Sequence, residues 1–184
     1  DDYNGDFNEI KNNLNQCIDA INEMIRDANL LADAAVEGKL DTRADAEKHQ
    51  GDFRKIVSGV NSTLDAVIGP LNVAAEYVDR ISKGDMPDKI EDDYNGDFNE
   101  IKNNLNQCID AINEMIRDAN LLADAAVEGK LDTRADAEKH QGDFRKIVSG
   151  VNSTLDAVIG PLNVAAEYVD RISKGDIPDR KSVV

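Results

Sequence analysis

The chain has 184 residues, of which 41% are hydrophobic, 32% charged and only 4% aromatic, with no Trp. That is the composition of a helical protein with a narrow core. A net charge of −16 argues against nucleic acid or an anionic membrane surface as partner, since both require basic patches. No apolar run is long enough to cross a membrane, and no basic-then-apolar leader opens the sequence. The first residue is Asp1 rather than Met, so the sequence reads as a piece of a longer chain. Cys17 and Cys108 are equivalent positions of a repeat, and they form neither a disulfide framework nor a paired redox motif. The expectation is therefore a reducing, cytoplasmic setting, with room for a membrane anchor elsewhere in the parent protein.

Repeats organise everything that follows. Residues 1–88 recur as 92–179 with one change, Met86 against Ile177, a period of 91. Identity this high on every position implies a recent tandem duplication or an engineered one. A second repeat lies inside the first. Gly5-Asp6-Phe7-x-x-Ile10 returns at Gly51-Asp52-Phe53-x-x-Ile56, at Gly96-Asp97-Phe98-x-x-Ile101 and at Gly142-Asp143-Phe144-x-x-Ile147. Gly38-Lys39-Leu40 is echoed by Gly84-Asp85-Met86, Gly129-Lys130-Leu131 and Gly175-Asp176-Ile177. Units of two alternating types result, each a long helical stretch closed by Gly, then a polar connector, then Gly-Asp-Phe.

Taken in chain order, the first predicted helix runs from Asp6 to Gly38. Its apolar residues Phe7, Ile10, Leu14, Cys17, Ile21, Met24, Ala28, Leu31 and Ala35 alternate in spacings of three and four. This is the a/d repeat of a left-handed coiled coil. The second helix repeats it with Phe53, Ile56, Val60, Thr63, Val67, Pro70, Ala74, Tyr77 and Ile81. Positions e are apolar too: Ile18, Ile25 and Ala32, then Val57, Leu64, Leu71 and Val78. An a/d/e stripe is wider than a two-stranded coil needs and suits a four-helix bundle. Asp6 and Asp52 stand where N-caps are expected, Gly38 and Gly84 where helices close. Pro70, and Pro161 after it, are expected to kink the helix or to start a new segment.

The connectors, 12 residues from Lys39 to Gln50 and 11 from Asp85 to Asn95, exceed what an antiparallel hairpin needs. Twelve extended residues reach roughly 40 Å, enough to run back along the helix and start the next one parallel to it. Their apolar anchors are Leu40 and Ala44 in one type and Met86 and Ile90 in the other, with Leu131 and Ile177 as the later counterparts of Leu40 and Met86.

Two parallel helices joined by a returning connector, repeated end to end, resemble the HAMP modules of bacterial and archaeal sensor proteins. At the start of the family's second helix stand an acidic pair, two apolar residues and an apolar-Asn pair. Here Gly51 and Asp52 take the acidic pair, as do Gly96 and Asp97, followed by Phe53, Ile56 and Val60-Asn61. Gly5, Asp6, Phe7, Ile10, Leu14 and Asn15 match in the same way. Pro70, Gly84 and Met86, and likewise Pro161, Gly175 and Ile177, fit the Pro-to-Gly spacing of the family's first helix. Gly-Asp in place of Asp-Glu, and Met24 and Met115 where Pro would stand, are departures that look like the concatenated (poly-HAMP) class.

The resemblance implies an all-α fold: parallel homodimeric four-helix coiled-coil bundles, stacked end to end with long continuous helices. It implies three modules, 21–67, 67–112 and 112–158, with half modules at 1–20 and 158–184. The a/d residues from Phe7 to Leu31 and from Phe53 to Ile81 would form the dimer core. The implied function is to relay helix rotation or packing changes between a sensor and an output domain of a chemoreceptor or histidine kinase. The partners would be a second copy of the chain and those flanking domains. The competing reading is a passive helical spacer, or an engineered duplicated scaffold, which would share the heptads without needing returning connectors.

No catalytic chemistry, cofactor or small-molecule ligand is expected. His49 and His140 fall in connectors and read as solvated loop residues. The stretch from Glu91 to Asp97 has the start of a calcium loop, yet its twelfth position is Lys102 rather than Glu. Cys17 reads as plain core. Asn61-Ser62-Thr63 matches a glycosylation sequon, with Thr63 placed in the core.

Overall fold

The computed structural model describes residues 5–177. Among them every regular element is helical: α1 (Asp6–Val36), α2 (Gly51–Ser82), α3 (Asp97–Val127) and α4 (Gly142–Ser173), with short 3-10 turns at Ala46–Lys48 and Ala137–Lys139. No helix is long and apolar enough to cross a membrane. The chain divides into two compact units, residues 1–79 and 80–184.

Helix ends follow from the glycines. Gly38 adopts φ +74°, and its N–H bonds the Ala35 carbonyl at 3.1 Å while the Lys39 N–H bonds that of Ala34 at 2.8 Å. This is a Schellman closure, which satisfies carbonyls left over by the last turn and needs the left-handed conformation that only Gly adopts cheaply. Gly84 repeats it through Ile81 and Arg80. At the opposite ends Gly96 caps α3 at φ +55°, ψ −134°, with no side-chain cap. Asp6 and Asp52 are therefore not N-caps. They lie inside the first turns of α1 and α2, where a carboxylate meets the positive end of the helix dipole. Lys55 also pairs with Asp52 at 2.8 Å.

Pro70 and Pro161 sit inside α2 and α4, and both helices run on through them without starting a new segment. Proline removes one intrahelical bond there, and the flanking turns hold the helix together.

In the first unit the chain path is fixed by three contacts. His49, just before α2, touches Asp27 in the middle of α1, while Arg43 and Ala44 lie against Asp65 and Asn61 of α2. The connector thus leaves the top of α1, descends along α2 and reaches the level of Asp27 before α2 begins. From there α1 rises roughly 14 Å to Val36 and α2 roughly 15 Å to Asn61, side by side and parallel. The second unit contains the same arrangement between α3 and α4, through His140 and Asp118, Arg134 and Asp156, and Ala135 and Asn152. The connector before α3 likewise descends along it, with Lys89 at Asp110, Ile90 at Asn106 and the Asp92 carbonyl at Lys102.

The faces used are not the whole of the predicted stripe. In α1 the buried residues are Asp27 and Ala34, one position before the a/d residues Ala28 and Ala35. In α2 they are Val57, an e position, and Ile68, which follows Val67. The e residue Ile25 of α1 stays exposed.

Candidate functional site

Each returning connector is held by a two-point latch. The Asn61 side chain engages both backbone groups of Ala44: its carbonyl oxygen accepts from the Ala44 N–H at 3.2 Å, and its amide donates to the Ala44 carbonyl at 2.8 Å. One helical turn later the Asp65 carboxylate accepts from the Arg43 guanidinium at 2.8 Å. Ala44 itself is buried. An asparagine can do this because its amide offers one acceptor and a donor side by side, matching a backbone N–H and C=O. The arrangement recurs with Asn106, Ile90, Asp110 and Lys89, and again with Asn152, Ala135, Asp156 and Arg134. In each case a basic residue precedes the clipped one, and the helix supplies Asn and, four residues on, Asp.

The second fastening is a buried pair. His49 Nε2 lies 2.6 Å from Asp27 Oδ2, and His49 is only 4% exposed. His140 and Asp118 reproduce the distance. The reading of His49 and His140 as solvated loop residues is therefore wrong. The 3-10 turn Ala46–Lys48, capped by Asp45 accepting from the Glu47 N–H, turns the connector so that the imidazole points inward onto α1. The outer side of this turn is fastened by an ion pair between Arg54 and Glu47.

In the alternate unit type, the positions corresponding to Asp27 and His49 are Val73 and Tyr94. The polar pair and its apolar counterparts exchange together, one at each position. That paired exchange was the available sequence signal: a charged residue at a site that is aliphatic in the sister unit marks a position facing inward.

Of the connector anchors, Ala44 and Ile90 are buried and Met86 half-buried. Leu40 is 42% exposed, and Leu131 is similarly open. Ile177 is exposed and ends the described residues. Pro87 and Ala135, not singled out from sequence, are buried. The helix-start residues stand at the breaks between connector and helix: Gly51 and Asp52 open α2, and Gly96 and Asp97 span the start of α3.

The a/d residues form an open apolar seam. Phe7, Ile10, Leu14, Cys17, Ile21, Ala28, Ile56, Val60 and Val67 are exposed, while Met24, Leu31, Phe53, Tyr77 and Ile81 are half-buried. Met24, Leu31, Ile56 and Val60 line one cleft between α1 and α2.

Electrostatics at the connectors is local. The hydrogen bond from Arg80 holds the Asp85 carboxyl below the usual aspartate range, and that from Arg171 does the same to Asp176. Among the described residues no group of three His, Cys, Asp or Glu side chains could hold a metal ion. In the stretch that resembles the start of a calcium loop, Lys102 donates instead to the Asp92 carbonyl at 3.0 Å.

The family model of the HAMP domain matches residues 1–23, 48–114 and 139–182, the larger part of the chain. No solved structure matches the chain.

Proposed function

The chain belongs to the HAMP domain family, and on that premise we propose that it is a signal-relay array working as a parallel homodimer. Membership implies a relay role in chemoreceptors or kinases. The finer reading places three modules at 21–67, 67–112 and 112–158 between half modules, on the cytoplasmic side, between a sensor and an output domain. The array acts through packing and not through catalysis.

The observation that carries this reading is the open seam. With connectors latched and helices paired, Ile56 is still 50% exposed and Val60 42%. Heptad-spaced residues of this size left in water along one face are what a second copy in register would bury. Latched connectors keep the paired helices parallel, so rotation of one helix must be met by its neighbour. The alternation of an Asp27/His49 type with a Val73/Tyr94 type gives neighbouring modules different fastenings, and elements with two close-lying packings are what a relay requires.

Two measurements test the proposal. Light scattering should give a dimer, and mild oxidation should join Cys17 to Cys17 and Cys108 to Cys108. A monomer, or crosslinks only between Cys17 and Cys108, refutes the parallel dimer. Placed between a sensor and a kinase output, the array should change kinase activity when Asn61→Ala loosens one latch. Output indifferent to that change refutes the relay and leaves a passive spacer.

A further inference from the structure

Among the described residues Asn95 is the one asparagine followed by glycine, and the one that lies outside a helix. It is exposed, at the last position of the connector before α3. Neither its side-chain amide nor the Gly96 N–H makes a hydrogen bond among the described residues. Elsewhere the helix encloses the backbone N–H that follows each asparagine, and past the first turn commits it to a carbonyl four residues back. The sister connectors place glutamine there, Gln50-Gly51 and Gln141-Gly142, on glycines of the same conformation: φ +57° and +56° against +55° at Gly96. The glycine conformation is shared, and the side chain before it differs by one methylene.

We propose that Asn95-Gly96 is a self-modification site, where the connector converts with time to an isoaspartyl form longer by one backbone methylene. The Gly96 nitrogen gives up its proton to hydroxide and bonds to Asn95 Cγ. The bond from Cγ to the side-chain nitrogen breaks, and that nitrogen leaves as ammonia, taking a proton from water and restoring the hydroxide. The product is a five-membered succinimide, whose closure the unbonded N–H and the missing glycine side chain leave unobstructed. Water then opens the ring. Attack at the side-chain carbonyl gives aspartate, and attack at the main-chain carbonyl gives isoaspartate, whose backbone runs through the side-chain methylene. One water is consumed and one ammonia released, with no change of oxidation state. Glutamine would need a six-membered ring, so the sister connectors keep their length. Both products put a carboxylate at the positive end of α3; only isoaspartate adds chain. The addition falls between two fixed points, the Asp92 carbonyl held by Lys102 at 3.0 Å and the Gly96 carbonyl held by the Asn99 N–H at 3.0 Å. It therefore slackens the lower end of the connector and leaves the Asn106 clip on Ile90 in place.

The test incubates the full chain in warm, mildly alkaline buffer and follows the tryptic peptide 90–102 by mass spectrometry. Its mass should rise by the exchange of NH for O, with fragmentation placing the change at Asn95 and not at Asn99 of the same peptide. Conversion should be faster at higher pH, and Asn95→Gln should abolish it with helicity unchanged by circular dichroism. The free peptide 90–102 supplies the rate with no fold. A folded chain slower by more than about tenfold, about 1.4 kcal/mol of added barrier, overturns the site, as does equal conversion at the helical asparagines. Chromatography isolates the isoaspartyl chain, and Asn95→Asp supplies the charge without the length. Amide exchange across residues 91–95 should be faster in the isoaspartyl chain than in Asn95→Asp; equal exchange overturns the slackening.

Discussion

Asp27→Ala removes the carboxylate that His49 meets at 2.6 Å. The imidazole, with its side chain 1% exposed, then has no water to replace the lost acceptor. Leaving one buried donor unsatisfied costs about 1–3 kcal/mol. Truncation of an exposed pair such as Glu37–Lys39, whose side chains are 58% and 71% exposed, costs about 0–1 kcal/mol. The first loss falls on the connector, because the pair is what holds its end to α1. Opening of residues 39–50 should therefore become about 5- to 150-fold more frequent, and amide exchange reports such opening directly. The repeat provides the reference. Residues 39–50 and 130–141 are identical in sequence, so proteolysis yields one peptide from two places. In the parent that peptide should carry a single isotopic population at each exchange time. In Asp27→Ala it should split into two, the slow one from the untouched copy. Asp118→Ala should give the same split, and the double variant should merge the populations at the faster rate. A single, unshifted population in Asp27→Ala, or a shift no larger than that of Glu37→Ala, would refute the idea that the buried pair fastens the connector.

Other substitutions separate fastening from surface. Asn61→Ala orphans both backbone groups of Ala44 and should lower stability by about 1–3 kcal/mol in urea unfolding, whereas neighbouring Ser62→Ala, on the exposed side, should stay within about 0.5 kcal/mol. Ile90→Ala, at a buried anchor, should cost about 2–4 kcal/mol; Leu40→Ala, 42% exposed in the single chain, should cost clearly less, and an equal loss would show that the dimer covers Leu40. Because Arg80 holds the folded Asp85 carboxyl below its ordinary value, this contact contributes at neutral pH and is lost only as pH falls through that depressed value; an NMR titration should place the Asp85 midpoint below that of an aspartyl peptide, and Arg80→Gln should return it there.

The helices were legible because an a/d repeat held over four heptads has no other regular solution, and because Gly at φ +74° closes a helix whatever lies around it. Connector length alone implied a returning path, since the chain's reach is a matter of backbone dimensions. The Asn61 latch was visible only as a motif. What it grips is a backbone, and a backbone carries no sequence signal. Asp27 and His49 were hidden for a related reason: hydrophobic periodicity counts apolar residues, so a polar pair that satisfies itself on the inward face counts as surface. Helix starts were misjudged by one residue at α1 and by two at α2, because Gly-Asp places the turn at or just before the glycine and the carboxylate inside the first turn.

The sequence by itself therefore determined the helices, their C-terminal ends, the repeat and the direction of the connectors, all of which follow from local backbone preference and from periodicity. Tertiary structure alone decided which face of α1 turns inward, which connector residues are gripped, and that identical helices differ at Ile18 and Ile109. Those outcomes depend on which partner groups lie opposite, and two copies of one sequence carry the same side chains but not the same neighbours.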